Sequence, residues 1–217
     1  MRSLDRLRQS YDKDSQVVFQ DKRSPPRMLF SDTEVLLEEV PVGTRVIFPN
    51  PPIEPLTNAR AAINHPEGTD PLHAQLKPGM KLFIAIDDIS LPLPPMKLPD
   101  VRQTMLEIIL QLCADSGVDD IQLCIANALH RRMTEAEMKR MVGAKIFDAY
   151  YPDNYFNHDA EEPGGIVELG VTEKGERVRI NRRAVEADLV IYLNVNFVPM
   201  DGGHKSVGTG LTDYLGL

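Results

Sequence analysis

The chain is short of cysteine, long apolar runs and positive charge. Its two cysteines, Cys113 and Cys124, stand in a helix-like and an apolar strand-like segment. With no second pair at ligand spacing they exclude a cysteine-built zinc site, and buried thiols are expected. No stretch reaches the roughly 18 consecutive apolar residues of a membrane span, and the opening Met1-Arg-Ser-Leu-Asp-Arg-Leu-Arg8 lacks a signal-peptide core. A soluble, cytoplasmic protein without a membrane partner is the expectation. Twenty-four basic against 32 acidic side chains leave a formal charge of −8, which opposes nonspecific attraction to a nucleic-acid backbone. Arg131 and Arg132 form only a pair, and the arginines of residues 176–183 alternate with strand-like apolar positions, so no nucleic-acid polymer is expected as a partner.

What is present is an alternation of apolar strands and amphipathic helices. At 217 residues one main domain is favoured. Residues 1–30 are polar and interrupted by Pro25 and Pro26, an arm or an edge segment around Val17-Val-Phe19, and residues 31–217 carry the α/β domain. Val35–Val40 and Thr44–Phe48 are short strand candidates. Met80–Ile86 is a compact apolar strand ending in Asp87 and Asp88, and Asp120–Ala126 is another. Between them Val101, Met105, Ile108, Ile109 and Leu112 fall at helical spacing, with Gly117 as the stop. Thr134 and Glu137 fit a capping box for the next helix. Lys145–Phe147 reads as a further short strand, 151–159 as a polar loop, and Ile166–Leu169 with Val178–Ile180 as a β-hairpin. A short helix at 182–187 and a strand at Leu189–Leu193 follow. The alternation predicts an α/β sheet with functional loops beyond the strand ends.

Candidate chemistry gathers at those ends. Asp201-Gly-Gly-His-Lys-Ser-Val-Gly-Thr-Gly210 reads as an active-site loop: Gly202 and Gly203 permit a close turn, Lys205 offers a cation or an amine nucleophile, Ser206 a hydroxyl, and Gly208 with Gly210 a close approach. It is not a Walker A loop, because the spacer is absent and His204 stands where glycine is required. Asp87 and Asp88 can bind a metal, orient a histidine or hydrogen-bond a nucleotide hydroxyl, or simply border a solvated turn. Ser90 is restrained by the prolines that follow it. His130, after a strand and before a helix, is a proton-transfer candidate or a structural hydrogen-bonding group. His158 and Asp159 suit a structural loop role better than placement at the ligand or support of the site, and His65 and His73 suit solvent exposure or a local hydrogen bond better than catalysis.

Taken in order, Asp88-Ile-Ser-Leu-Pro-Leu-Pro94, Ala126-Asn-Ala-Leu-His-Arg-Arg-Met-Thr134, Asn157-His-Asp159, Ile180-Asn-Arg182 with Glu186-Ala-Asp-Leu189, and Gly202-Gly-His-Lys-Ser206 resemble the N-terminal domain of the nickel-dependent lactate racemase family. The resemblance implies a Rossmann-like α/β N-terminal domain of a two-domain racemase-like protein, with the C-terminal domain absent from these residues. It implies an isomerase, a racemase or epimerase acting on a small 2-hydroxy acid or related polyol acid by hydride transfer. The cofactor implied is a nickel-pincer nucleotide attached covalently through Lys205, which brings cofactor-maturation proteins as partners. By the same resemblance His130 and Lys205 are catalytic, and Asp88, Ser90, Gly202, Gly203, Lys205 and Ser206 border the cofactor. His158 and Asp159 support the site from behind.

The sequence departs from the family pattern in four places. Leu91 stands where the lactate racemases carry an arginine suited to a carboxylate, His204 where arginine is common, and the 194–203 loop has no match to the second catalytic histidine. No nickel ligand is assigned. A substrate other than lactate is therefore compatible with the sequence, and a noncatalytic nucleotide-binding or regulatory α/β domain is the alternative.

Overall fold

The chain divides into two units, 1–54 and 55–217, and the described residues of the first form short antiparallel pairs. The structure, a computed structural model, describes residues 17–31, 34–47, 59–89, 96–195 and 203–217. In the first unit β1 (Val17–Phe19), β2 (Arg27–Ser31), β3 (Glu34–Glu38) and β4 (Arg45–Ile47) form two pairs, β1 with β4 and β2 with β3. The buried amide of Gln20 ties them locally: its oxygen accepts from Arg27 Nη2 at 2.8 Å and its nitrogen donates to the Pro25 carbonyl at 3.2 Å.

The second unit begins with two short helices, α1 (Ala59–Asn64) and α2 (Leu72–Gln75), the latter holding His73. Then come β5 (Lys81–Asp87), α3 (Val101–Asp115), β6 (Asp120–Ala126), α4 (Glu135–Tyr150) and β7 (Tyr155–Asn157). The predicted hairpin is β8 (Ile166–Val171) with β9 (Arg177–Asn181), followed by α5 (Arg182–Val185), β10 (Leu189–Leu193) and α6 (Gly203–Gly210). The central sheet is parallel throughout, in the order β10-β5-β6-β7.

Strand alternation explains why its middle is apolar on both sides. Leu82, Ile84, Ile86, Leu123 and Ile125 face one core with Leu106 and Ile109 of α3 and Met138 and Met141 of α4. Phe83, Ala85, Cys124 and Ala126 face the other, with Ile180, Ala184 and Leu211. Each fully buried leucine or isoleucine contributes roughly 1.5–3 kcal/mol relative to exposure, so this strand pair anchors the fold. Both cysteines are buried free thiols, and burial pushes Cys113 up to about 11. Among the described residues no helix is long and apolar enough to cross a membrane.

Local signals set the helix boundaries. Asp100 caps α3 by accepting from the Arg102 amide at 2.9 Å, and Gly117, at φ +70°, turns the chain out of it. Thr134 and Glu137 form the predicted capping box of α4. Three expectations are corrected. Lys145–Phe147 is helix, because α4 kinks at Gly143 (φ +79°) and then resumes, burying Ile146 and Phe147 on the side of Met138 and Val142. The 151–159 stretch is not all loop: β7 pairs with Leu123–Ile125 and buries Tyr155 completely. The predicted loop at 201–210 is helical from Gly203 onward.

From β5 the chain runs outward through β6 to β7, and later returns to lay β10 on the other side of β5. The order reverses between β5 and β10, and in open α/β sheets ligands bind beyond the carboxyl ends of strands at such a point.

Candidate active site

The carboxyl end of β5 delivers two carboxylates to different partners. Asp87 accepts from the Val195 amide at 2.7 Å and from the Tyr192 hydroxyl, tying β5 to the end of β10. Burial holds its carboxyl above the usual range, against the lowering effect of those two donors. Asp88 meets His130, whose Nδ1 lies 3.0 Å from Asp88 Oδ2. The carboxylate is 11% exposed and the imidazole 48%, so the pair has a sheltered acid and an accessible base.

A tight turn after β6 presents that imidazole. The His130 amide donates to the Asn127 carbonyl at 2.7 Å, and the Ala128 amide to the Gly210 carbonyl at 3.0 Å. Ala128 sits at φ +47°, a conformation that costs a non-glycine residue energy and often marks functional loops.

Behind the carboxylates lies Arg102, buried in the first turn of α3. Its Nε and Nη2 donate to the two oxygens of Asp100 at 2.9 and 2.8 Å. Nη1 donates to the Asp87 carbonyl at 2.9 Å and the Asp88 carbonyl at 3.4 Å. A planar guanidinium suits this forked arrangement, which a lysine could not reproduce.

Helix α6 closes the third side. Gly203 opens it at φ +57°, left-handed backbone that favours glycine. Lys205 is exposed on the first turn, while Ser206 is buried and its hydroxyl lies 2.5 Å from Asn194 Oδ1 at the end of β10. At the other end, a Cβ on Gly210 would press on the Tyr192 hydroxyl and stand 3.0 Å from Ala126 Cβ. The expected close approach therefore exists at Gly210, whereas a Cβ on Gly208 would meet nothing within 4 Å.

Together these elements line a cleft of about 410 Å³. Asp88, His130, Lys205 and Ser206, each predicted from sequence, share it. Gly203 begins the helix without lining the cleft, and Ser90, Leu91 and Gly202 lie outside the described residues. Asp87, Arg102, Arg140, Tyr192, Asn194 and Gly210 also line it. The Asp100-x-Arg102 spacing at a helix start was the available signal for the buried ion pair, because an N-cap carboxylate two residues before an arginine can hold both its amide and its guanidinium.

His158 is not at the cleft. It is buried, with Nε2 2.8 Å from the Thr212 carbonyl and Nδ1 3.0 Å from Asn181 Nδ2. An Nε2–H donor and an Nδ1 acceptor satisfy both contacts, and burial lowers the pKa of the ring. It thus ties the segment after α6 to the ends of β7 and β9. Asp159 pairs with Arg132 at 2.6 Å outside the cleft. Among the described residues no group of three His, Cys, Asp or Glu side chains is placed to hold a metal ion.

Residues 39–215 match the lactate racemase N-terminal domain. The chain belongs to this family. It is 24% identical over 156 residues to the lactate racemase of Thermoanaerobacterium thermosaccharolyticum, covering 70% of the chain and 34% of that protein. It is also 24% identical over 157 residues to the lactate racemase of Lactiplantibacillus plantarum, covering 70% and 35%. The chain thus spans about a third of the length of these relatives. In structure it is similar to the lactate racemase apoprotein of T. thermosaccharolyticum, with a TM-score of 0.57 at 23% identity, over 78% of this chain and 42% of that one. A Thermotoga maritima protein gives 0.55 at 15% identity, over 74% and 39%. The α/β fold with its parallel central sheet is the fold of this racemase-family domain.

Proposed function

We propose that the chain is part of a racemase or epimerase acting on a small 2-hydroxy acid or a related polyol acid, and that its cleft takes the nickel-pincer nucleotide. The observation that carries this reading is the Asp88–His130 pair, opening on the same cleft as Lys205. The cleft suits the organic part of that group: its volume lies within the roughly 300–1,000 Å³ of small-molecule sites, and Lys205 and Ser206, on one turn of α6, both line it. Lys205 would hold the nucleotide through its amine, with Asp88 and Ser206 beside it. When bound, the group supplies an acceptor for the hydride of the substrate's carbinol carbon.

The chain's own residues manage the proton. Asp88 accepts from Nδ1–H of His130, which selects the tautomer with its lone pair on Nε2. Nε2 takes the 2-hydroxyl proton and later returns it, and Asp88 stabilises the imidazolium formed between the two steps. Burial of Asp88 strengthens that interaction relative to an exposed pair.

The test is co-expression of the native polypeptide with cofactor-maturation proteins, followed by peptide mass mapping and stereochemical assays on a panel of 2-hydroxy acids. The expected result is added mass on Lys205, absent in Lys205→Arg, together with turnover that His130→Ala lowers by about 10²–10⁴-fold. Unmodified Lys205 in an active protein would overturn the attachment. Adduct without turnover across the panel would instead favour the noncatalytic nucleotide-binding alternative.

A further inference from the structure

We propose that Arg140 receives the substrate's carboxylate, an inference that rests on the 2-hydroxy-acid reading above. A 2-hydroxy acid brings an anion into a cleft already lined by Asp87, Asp88, Asp100 and Glu137. It needs a cation that those groups have not already engaged. Arg102 is unsuitable: it is buried, and Asp100 and the two backbone carbonyls occupy its donors. Lys205, in the same reading, carries the cofactor.

Arg140 has a different environment. It lies on α4 three residues after Glu137, so both project from neighbouring positions on one helical face, and both line the cleft. Glu137 does not neutralise it, because its two oxygens accept from Arg131 at 2.8 and 2.9 Å and from the Thr134 amide at 2.8 Å. The Arg131 guanidinium, beside a further hydrogen bond from Thr134, holds the Glu137 carboxyl down at about 2. Arg140 itself has no carboxylate partner among the described residues, and its side chain belongs to an exposed residue on an otherwise regular part of α4.

A planar guanidinium fork matches a carboxylate with two parallel hydrogen bonds. Binding there sets the carboxylate toward α4 and leaves the neighbouring 2-hydroxyl for the imidazole at the end of β6. Arg140 is then a substrate-binding residue that selects acids over their neutral analogues.

Calorimetric titration tests this with lactate, glycerate and gluconate as acid probes and lactamide as the neutral probe, on wild type, Arg140→Gln and Arg140→Lys, all loaded with cofactor. The expected result is that wild type prefers the acids, Arg140→Gln weakens them at least about tenfold while leaving lactamide binding and thermal stability unchanged, and Arg140→Lys retains part of the preference. Unchanged acid affinity in Arg140→Gln, with wild type still preferring acids, would overturn the role of Arg140 and leave the reaction class intact. Equal losses for acids and lactamide, or a drop in thermal stability, would assign the residue a structural role and also overturn it. Wild type that binds none of the acids would overturn the 2-hydroxy-acid reading and this inference together.

Discussion

Arg102 donates from Nη1 to the carbonyl oxygen of Asp87 at 2.9 Å, fastening the start of α3 to the end of β5 one residue before the carboxylate that holds His130. The guanidinium is neutralised by Asp100, with side chains 5% and 8% exposed. Removing one member of a buried pair strands the other charge, which typically costs about 3–5 kcal/mol. Arg102→Met is accordingly expected to lower stability by an amount of that order in urea unfolding. The double variant Asp100→Asn with Arg102→Met should recover part of it, and additive losses in the cycle would show that the two do not act as a pair.

Two glycines of α6 should respond to alanine with opposite sign. Gly208→Ala adds a methyl group to open space in a helix and is expected to stabilise by about 0.5–1 kcal/mol. Gly210→Ala drives a methyl group against Tyr192 and Ala126. Tyr192 is held by its bond to Asp87 and Ala126 lies at the end of a central strand, so relief by movement is limited and a loss of about 1–3 kcal/mol is expected. Thermal melts of the two variants against wild type decide the matter; equal shifts would mean that α6 does not pack on the sheet as described.

His158 makes stability depend on pH. Its pKa in the fold is lowered by burial from the model-peptide value of 6.5, partly offset by the Thr212 carbonyl and the carboxylates of Asp159, Asp213 and Glu162. Above that value the ring is neutral in both states and its contribution is intact. As the pH falls through it the unfolded chain takes up a proton that the folded chain resists, so stability declines until the folded ring also protonates. Urea midpoints should therefore fall between about pH 7.5 and about pH 5.5. His158→Gln, which keeps a donor for Thr212 and an acceptor for Asn181, should flatten that decline. An identical slope in the variant would assign the dependence to other groups.

Much of the fold was legible because its signals are local. β5 and β10 carry unbroken apolar runs at residues 82–86 and 189–193, β6 is apolar apart from Asp120 and Gln122, and the hairpin has Gly175 between its apolar stretches. The α4 capping box involves residues three apart. The buried stripe of α3 was legible only in part: Arg102, Leu106, Ile109 and Cys113 are buried, whereas Met105 and Ile108, read as core positions, are half-buried. Arg102 joins that stripe because Asp100 neutralises it, which helical periodicity does not reveal. β7 was missed for a related reason. Three residues in a polar stretch show no alternation, and their strand state comes from hydrogen bonds that β6 supplies across the sheet.

The sequence by itself determined the alternation of strands and helices, the caps, and the ordered motifs at residues 88, 130 and 205 that mark the racemase family, because each rests on side chains within a few positions of one another. Tertiary structure decided which of those residues share a cleft. It joined Asp88 to His130 across 42 positions, made a helix of the segment carrying Lys205, set His158 away from the cleft as an internal tie, and brought Arg140 to the cleft. Spacing along a chain measures distance only within one element; the reversal of strand order between β5 and β10 brings these distant segments to one sheet edge.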